Sequence, residues 1–193
     1  MKHLIVYAHP NPKSFNHAIL ETLQGELLER GHDVRVRDLY KIGFNPVLSS
    51  YDFEMLAQGT VPPDIHEEQE HISWADVIIT IYPVWWTGLP AMLKGYFDRV
   101  LTSGFAYAYG ENGPEQLLKG KRGVFFTTQG NPREVYTASH MFDAMKKTTD
   151  EGIYAFTGIE SIDHIFFTSV PSVDDEKRRE YLEEVKSFVH TVF

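Results

Sequence analysis

Five short apolar runs punctuate the chain, at residues 3–9 (HLIVYAH), 33–40 (DVRVRDLY), 75–84 (ADVIITIYPV), 122–129 (RGVFFTTQ) and 161–170 (SIDHIFFTSV). The first, third and fourth hold continuous apolar cores without alternation, the pattern of strands buried on both faces. The second alternates Val34 and Val36 with Arg35 and Arg37, which predicts an edge strand with one wet face. Between these runs the period becomes helical. Residues 15–30 place Ile19, Leu20, Leu23, Leu27 and Leu28 on one stripe, and Gly31 follows as a stop signal. Residues 90–102 open with Pro90 at a first helical position and carry Met92, Leu93, Tyr96, Phe97, Val100 and Leu101, with Lys94, Asp98 and Arg99 expected outside. Residues 137–151 and 174–192 predict two further helices, the second with Asp174 and Asp175 at its N-terminus.

Strand alternating with helix predicts one α/β domain over residues 1–193, a doubly wound parallel sheet with helices on both faces. No repeat, low-complexity tract or linker interrupts it. Residues 41–73 are the least regular, with VPPD before a polar helical stretch, and are expected to cover one edge of the sheet.

Composition removes several function classes. The net charge of −9 argues against nucleic acid as a partner, because phosphate binding favours a basic face. No apolar run approaches the roughly 18–20 residues that cross a bilayer, and no signal-peptide charge pattern precedes the first strand, so a cytoplasmic location is expected. With no cysteine there are no disulfides, thiolate metal sites or cysteine nucleophiles. His66 and His71 are five apart on a helical stretch and do not share a face, so no metal site is expected there. No G-x-S-x-G marks a hydrolase.

In an open parallel sheet, ligands bind beyond the carboxyl ends of the strands. Three loops should therefore meet: 9–16, 83–89 and 127–136. The first has neither G-x-G-x-x-G nor a P-loop. It offers His9, Ser14 and Asn16 beside a helix start, where free N–H groups and the helix dipole favour a phosphate. A plain helix cap by Ser14 or Asn16 is the simpler use of the same residues. The second loop, YPVWWTGLP, sets Trp85 and Trp86 between prolines, a wall suited to a flat heterocycle or, alternatively, to core and dimer packing. The third supplies Thr127, Thr128, Gly130 and Asn131, small enough for backbone to approach a ligand.

On YAHPNPKSFN (7–16), YPVWWTGLPAMLKGYFDRV (82–100), GFAYAYG (104–110) and TTQG (127–130), the chain resembles the flavodoxin-like NAD(P)H:quinone oxidoreductases of the DT-diaphorase type. That group includes bacterial relatives and flavin-binding ancillary subunits of potassium efflux systems. The resemblance implies a flavodoxin-like sheet of strand order 2-1-3-4-5 and a bound flavin. His9, Ser14, Phe15 and Asn16 match its phosphate turn. Pro83, Val84, Trp85, Trp86 and Thr87 match the loop around the isoalloxazine, and Thr127, Thr128, Gln129 and Gly130 the third flavin contact. Relatives usually have Gly-Gly where this chain has Gln129-Gly130. Relatives also place a Tyr and a His after this loop to stabilise charge on the flavin during hydride transfer. Tyr136 matches the first with spacing one residue longer, and His140 lies near the second without aligning cleanly. Phe105 and Tyr107 match a segment lining a shared site in dimeric relatives.

The implied activity is a two-electron reductase taking a hydride from NAD(P)H and delivering it to a quinone, nitroaromatic or azo acceptor, with FMN expected and FAD the alternative, in a homodimer. A flavodoxin-type electron carrier and a flavin-binding regulatory subunit with a membrane partner protein are the rival readings.

Overall fold

The computed structural model describes residues 1–111 and 113–193. Its parallel five-stranded sheet runs in the order β2-β1-β3-β6-β7, with β1 Lys2–Tyr7, β2 Asp33–Asp38, β3 Val77–Pro83, β6 Arg122–Thr128 and β7 Glu160–Phe167. The expected order 2-1-3-4-5 becomes 2-1-3-6-7 because an antiparallel hairpin, β4 Tyr107–Gly110 and β5 Gly113–Gln116, intervenes in the chain. It lies outside the main sheet, and just after it Leu118 N–H donates to Thr157 O, in the helical segment before β7, at 2.9 Å.

Alternate residues of the central strands feed two cores. Leu4, Val6, Ile78, Tyr82 and Phe125 face one side, under α3 (Pro63–Trp74) and α4 (Ala91–Val100). Ile5, Tyr7, Ile79, Ile81, Val124 and Phe126 face the other, under α1 (Phe15–Glu29) and α7 (Asp175–Val192). Both faces of β1, β3 and β6 are therefore covered, as their unbroken apolar runs require.

Residues 41–73 form α2 (Ser50–Ala57) and α3, whose Ile65 and Ile72 pack over the face while Glu67 and Glu68 bond Arg37 of the edge strand β2. One expectation changes on this side of the sheet. Arg99 is not outside α4 but buried. It bonds Asp52 Oδ1 at 2.6 Å, Asp64 Oδ2 at 2.6 Å and Asn45 O at 2.8 Å, clamping the 44–64 segment onto α4. The sequence pattern hid this, because these partners lie 35 to 54 residues away. Gly95 completes the clamp: a Cβ there would come within 2.0 Å of Pro46 O.

The helix expected at 137–151 is broken. α5 (Arg133–Ala138) follows Pro132, His140 turns left-handed at φ 53°, and α6 (Met141–Lys146) then runs into a π-helical segment, Lys147–Ala155. Polar bonds hold that segment to the sheet: Asp150 accepts from Ser161 Oγ at 2.7 Å and pairs with His164 Nδ1 at 2.8 Å, and Tyr154 OH meets Thr80 Oγ1 at 2.7 Å.

Removing one partner of a buried ion pair leaves a charge without compensation. Asp52→Ala should therefore destabilise the protein by about 3–5 kcal/mol in urea unfolding, and Asp52→Ala with Arg99→Met by less than Asp52→Ala alone. At the other end of the sheet His3 is buried, its Nε2 2.7 Å from His32 Nδ1. Burial, with the positive His32, N-terminus and Arg122 nearby and Asp76 opposing, pushes its pKa down from 6.5 to about 4. The neutral ring is the folded form, so the unfolded chain binds the extra proton and stability falls as pH drops from 6.5 towards 4. Between pH 7 and pH 4.5, His3→Asn should lose about 2 kcal/mol less stability than the parent chain, read by urea titration at each pH.

Candidate functional site

The loops after β1, β3 and β6 leave the sheet at one end and enclose a cavity of about 320 Å3. His9, Ser14, Phe15, Asn16, Pro83, Val84, Trp85, Thr128, Gln129 and Gly130 line it, together with Val170 and Pro171. The last two are a contribution that sequence reasoning missed. The signal was present, since the fifth apolar run ends at Val170 and its loop must also leave at the carboxyl end.

At one wall, Ser14 caps α1: its Oγ accepts from His17 N at 3.2 Å and lies 3.3 Å from Tyr7 OH. The simple capping use is thus real, and the same residue lines the cavity. The first turn of α1 carries no acidic side chain, so its free N–H groups keep their positive character. His9 Nδ1 accepts from Asn11 N at 3.0 Å, which puts the proton of the neutral ring on Nε2. Burial holds His9 below the ordinary histidine range.

Asn16 and Thr128 join the first and third loops across the sheet end, Nδ2 to Oγ1 at 2.8 Å. Asn16 Oδ1 is buried without a partner. Gln129 donates Nε2 to Thr127 Oγ1 at 2.7 Å, and Thr127 donates onward to Ile165 O at 3.1 Å. Thr127 therefore lies beneath the cavity and supports it without lining it. Gly130 has open space where a side chain would stand, so a ligand can approach its backbone.

The tryptophan loop is a tight turn. Trp85 and Gly88 exchange backbone hydrogen bonds at 3.2 and 3.1 Å, while Trp86 and Thr87 both adopt positive φ, 51° and 60°. This is the type I′ pattern, which favours glycine or asparagine at both central positions. Here a tryptophan and a β-branched threonine occupy them, at a cost of roughly 1–2 kcal/mol each. The strain displays aromatic surface: neither indole enters the core, and Trp86 is 100% exposed.

The remaining candidates fall elsewhere. Thr87 and Tyr107 line a wider apolar groove of about 570 Å3 beyond the turn, with Phe97, Leu101, Ile153 and Phe156. Phe105 packs against the core instead. Tyr136 is buried against Phe142, ring centroids 5.3 Å apart, in a small cluster that touches the cavity wall only through Val84. The side chain of His140 is 86% exposed, 3.7 Å from Asp143. Neither Tyr136 nor His140 lines the cavity, because the chain breaks between α5 and α6 and turns His140 outward.

A five-stranded parallel sheet with a ligand-sized cavity at its carboxyl end defines the flavodoxin-like class of α/β protein, and the family model for the flavodoxin-like fold matches residues 1–189. The chain is similar to an uncharacterized NAD(P)H oxidoreductase of Haemophilus influenzae, 39% identical over 95% of this chain and 91% of the relative. It is also similar to NAD(P)H dehydrogenase (quinone) 1 of Rattus norvegicus, 31% identical over 98% of this chain and 77% of the relative. The solved NAD(P)H:quinone oxidoreductase from Methanothermobacter marburgensis superposes with a TM-score of 0.91 at 30% identity, covering 100% of this chain and 99% of that one. The chain belongs to the flavodoxin-like NAD(P)H:quinone oxidoreductase family.

The strained turn is directly testable. Thr87→Gly should stabilise the protein by about 1 kcal/mol in thermal unfolding, because glycine adopts positive φ without the Cβ clash.

Proposed function

We propose that the protein is a flavin-dependent NAD(P)H oxidoreductase that moves a hydride from NAD(P)H to a quinone or a similarly flat acceptor, including nitroaromatic and azo compounds. One observation supports this above all: a single cavity unites an acid-free helix N-terminus, a tryptophan wall and an open glycine backbone. Those are the features an aromatic heterocycle carrying a phosphate needs.

The residues present fit a flavin, with FMN as the assignment and FAD the alternative. The one helix N-terminus at the cavity matches a single phosphate, held by the first-turn N–H groups of α1 with Asn16. Burial favours the neutral form of His9, and in that form its Nε2–H is a donor. Asn16 can serve as donor or acceptor, since the Thr128 hydroxyl is able to pair with either end of its amide. Trp85 would flank the ring, and Val84, Val170 and Pro171 exclude water from its edge. When bound, the flavin supplies the two-electron chemistry that no side chain here can perform. Tyr136 and His140, in the positions described, are not assigned a role in the reaction.

Acceptor selection falls to the outer surface. Trp86 and the apolar groove containing Tyr107 and Phe156 present flat hydrophobic walls, which discriminate weakly among planar acceptors. An apolar groove beside a fully exposed tryptophan is also a surface that a second copy of the chain would cover, which supports a homodimer.

The test is an absorption spectrum of the purified protein followed by anaerobic NADH or NADPH. Flavin bands near ~450 nm should bleach promptly and return on adding a quinone. Bands that stay oxidised would replace the reductase with a carrier or regulatory subunit, and failure to bind FMN or FAD would overturn the flavin assignment itself.

A further inference from the structure

Between the broken helix and β7 lies a buried charge pair outside the cavity described above. Asp150 sits on the π-helical segment Lys147–Ala155 and turns its carboxylate into the protein, accepting from Ser161 Oγ at 2.7 Å and from His164 Nδ1 at 2.8 Å. A carboxylate only accepts, so Nδ1 carries the proton of the His164 ring. That side chain is fully buried and stacks on Phe166, ring centroids 4.0 Å apart. Burial would raise the Asp150 carboxyl, yet the bonds from His164 and Ser161 hold it below the ordinary carboxylate range. Four residues on, Tyr154 makes a second anchor: its hydroxyl meets Thr80 Oγ1 at 2.7 Å and its ring stacks on Phe125 with centroids 4.2 Å apart. Gly123 leaves room for that ring, since a Cβ there would lie 2.2 Å from Tyr154 Cε2.

The other side of the same segment faces the apolar groove of about 570 Å3, which Thr148, Gly152, Ile153 and Phe156 line. Thr148, Gly152 and Phe156 repeat at the anchors' spacing of four, offset from them by two, which is about half a turn round the helix. A π-helix closes its hydrogen bonds one residue later than an α-helix and is a rare winding. The two anchors therefore set which side chains of this segment reach the groove. The groove adjoins the smaller cavity: Trp85 lines the cavity, and Thr87, two residues on in the same turn, lines the groove. Flat rings stand in it as well, Phe156 and Tyr107 with centroids 5.3 Å apart. A planar aromatic acceptor is the occupant that suits this position. We infer that Asp150 is a positioning residue for acceptor selection: anchored by His164 and Ser161, it holds the π-helical winding that aims Ile153 and Phe156 into the groove, where they grip a fused-ring quinone and scarcely touch a single-ring one. This rests on the reductase reading above.

The experiment compares the parent chain with Asp150→Ala, Ser161→Ala and Phe156→Ala. One arm measures binding of anthraquinone-2-sulfonate by quenching of tryptophan fluorescence. The other measures KM and kcat for 1,4-naphthoquinone and 1,4-benzoquinone in the FMN-loaded protein. Phe156→Ala should weaken anthraquinone binding about tenfold, which places the probe in the groove. Asp150→Ala should also weaken it about tenfold and raise the naphthoquinone KM by the same factor, with kcat and the benzoquinone KM unchanged. Ser161→Ala, which removes one of the two bonds, should shift both about threefold. FMN affinity should not move, because no residue of 147–157 lines the smaller cavity. Circular dichroism and thermal unfolding confirm that each variant is folded. Folded Asp150→Ala with the parent's anthraquinone affinity and naphthoquinone KM overturns the assignment. An equal loss for both quinones and FMN overturns it too, since Asp150 would then serve only general stability. If Asp150→Ala fails to fold, Ser161→Ala decides by the same criteria. A parent chain that binds no anthraquinone, or binds it as tightly after Phe156→Ala, also overturns it, because the groove would then be closed to acceptors, as by a second copy of the chain. A parent chain that binds the anthraquinone but reduces no quinone removes the reductase reading instead, while the binding arm still decides on Asp150.

Discussion

Burial of β1, β3 and β6 on both faces is the constraint from which the rest of the structure follows. A strand whose neighbours and faces are all apolar has no wet side to present, so it must sit at the centre of a parallel sheet with helices above and below. Parallel strands joined by helical crossovers release their following loops at the same end. The cavity is the consequence: its lining residues from 9–16, 83–85 and 128–130 are distant in sequence, yet each set lies where one of these three strands runs out. The fifth strand obeys the same rule and brings Val170 and Pro171 to the same rim.

Given that convergence, short polar contacts determine the shape of the site. The Asn16–Thr128 bond ties the helix-bearing first loop to the end of β6, and the Gln129–Thr127–Ile165 chain ties the end of β6 to β7. Both are buried, so each is worth more than a surface bond and each is costly to leave incomplete. Asn16 Oδ1 and Gln129 Oε1, on two residues of the cavity lining, are among the buried side-chain atoms without a partner among the described residues. The Trp86–Thr87 turn stores a different cost, in backbone conformation. The left-handed Trp86–Thr87 turn follows directly on the cavity residue Trp85, so its strain lies beside the site.

The region between β2 and β3 shows how a weak local pattern is rescued by distant charge. Neither α2 nor the loop before it has a strong apolar stripe, and several of its large side chains, among them Val47, Tyr51 and Phe53, are exposed. What holds it is Arg99, reaching from α4 to Asp52, Asp64 and the Asn45 carbonyl. On the opposite side of α4 lies the groove with Tyr107 and Phe156, where the π-helical segment and the hairpin meet. α4 therefore links the packing of an otherwise loosely patterned segment to the outer wall beside the tryptophan turn.

The sequence by itself determined the strands, most of the helices and the end of the sheet where a site must form. Those features depend on period, on apolar continuity and on punctuation by Ser14, Pro90 and Gly31, all of which act over a few residues. It also placed ten of its thirteen proposed cofactor contacts on one cavity, because strand ends converge by rule. Tertiary structure alone decided the others. Thr127 lies below the cavity because its hydroxyl is drawn to Ile165, and Trp86 and Thr87 face outward because the Trp85–Gly88 turn reverses the chain. Tyr136 and His140 lie away from it because the expected helix breaks at a left-handed residue without a glycine to announce the break. Arg99 is buried because its three partners come from another segment. In each case the deciding contact joins residues whose proximity the folded sheet creates, and no local pattern of polar and apolar positions carries that information.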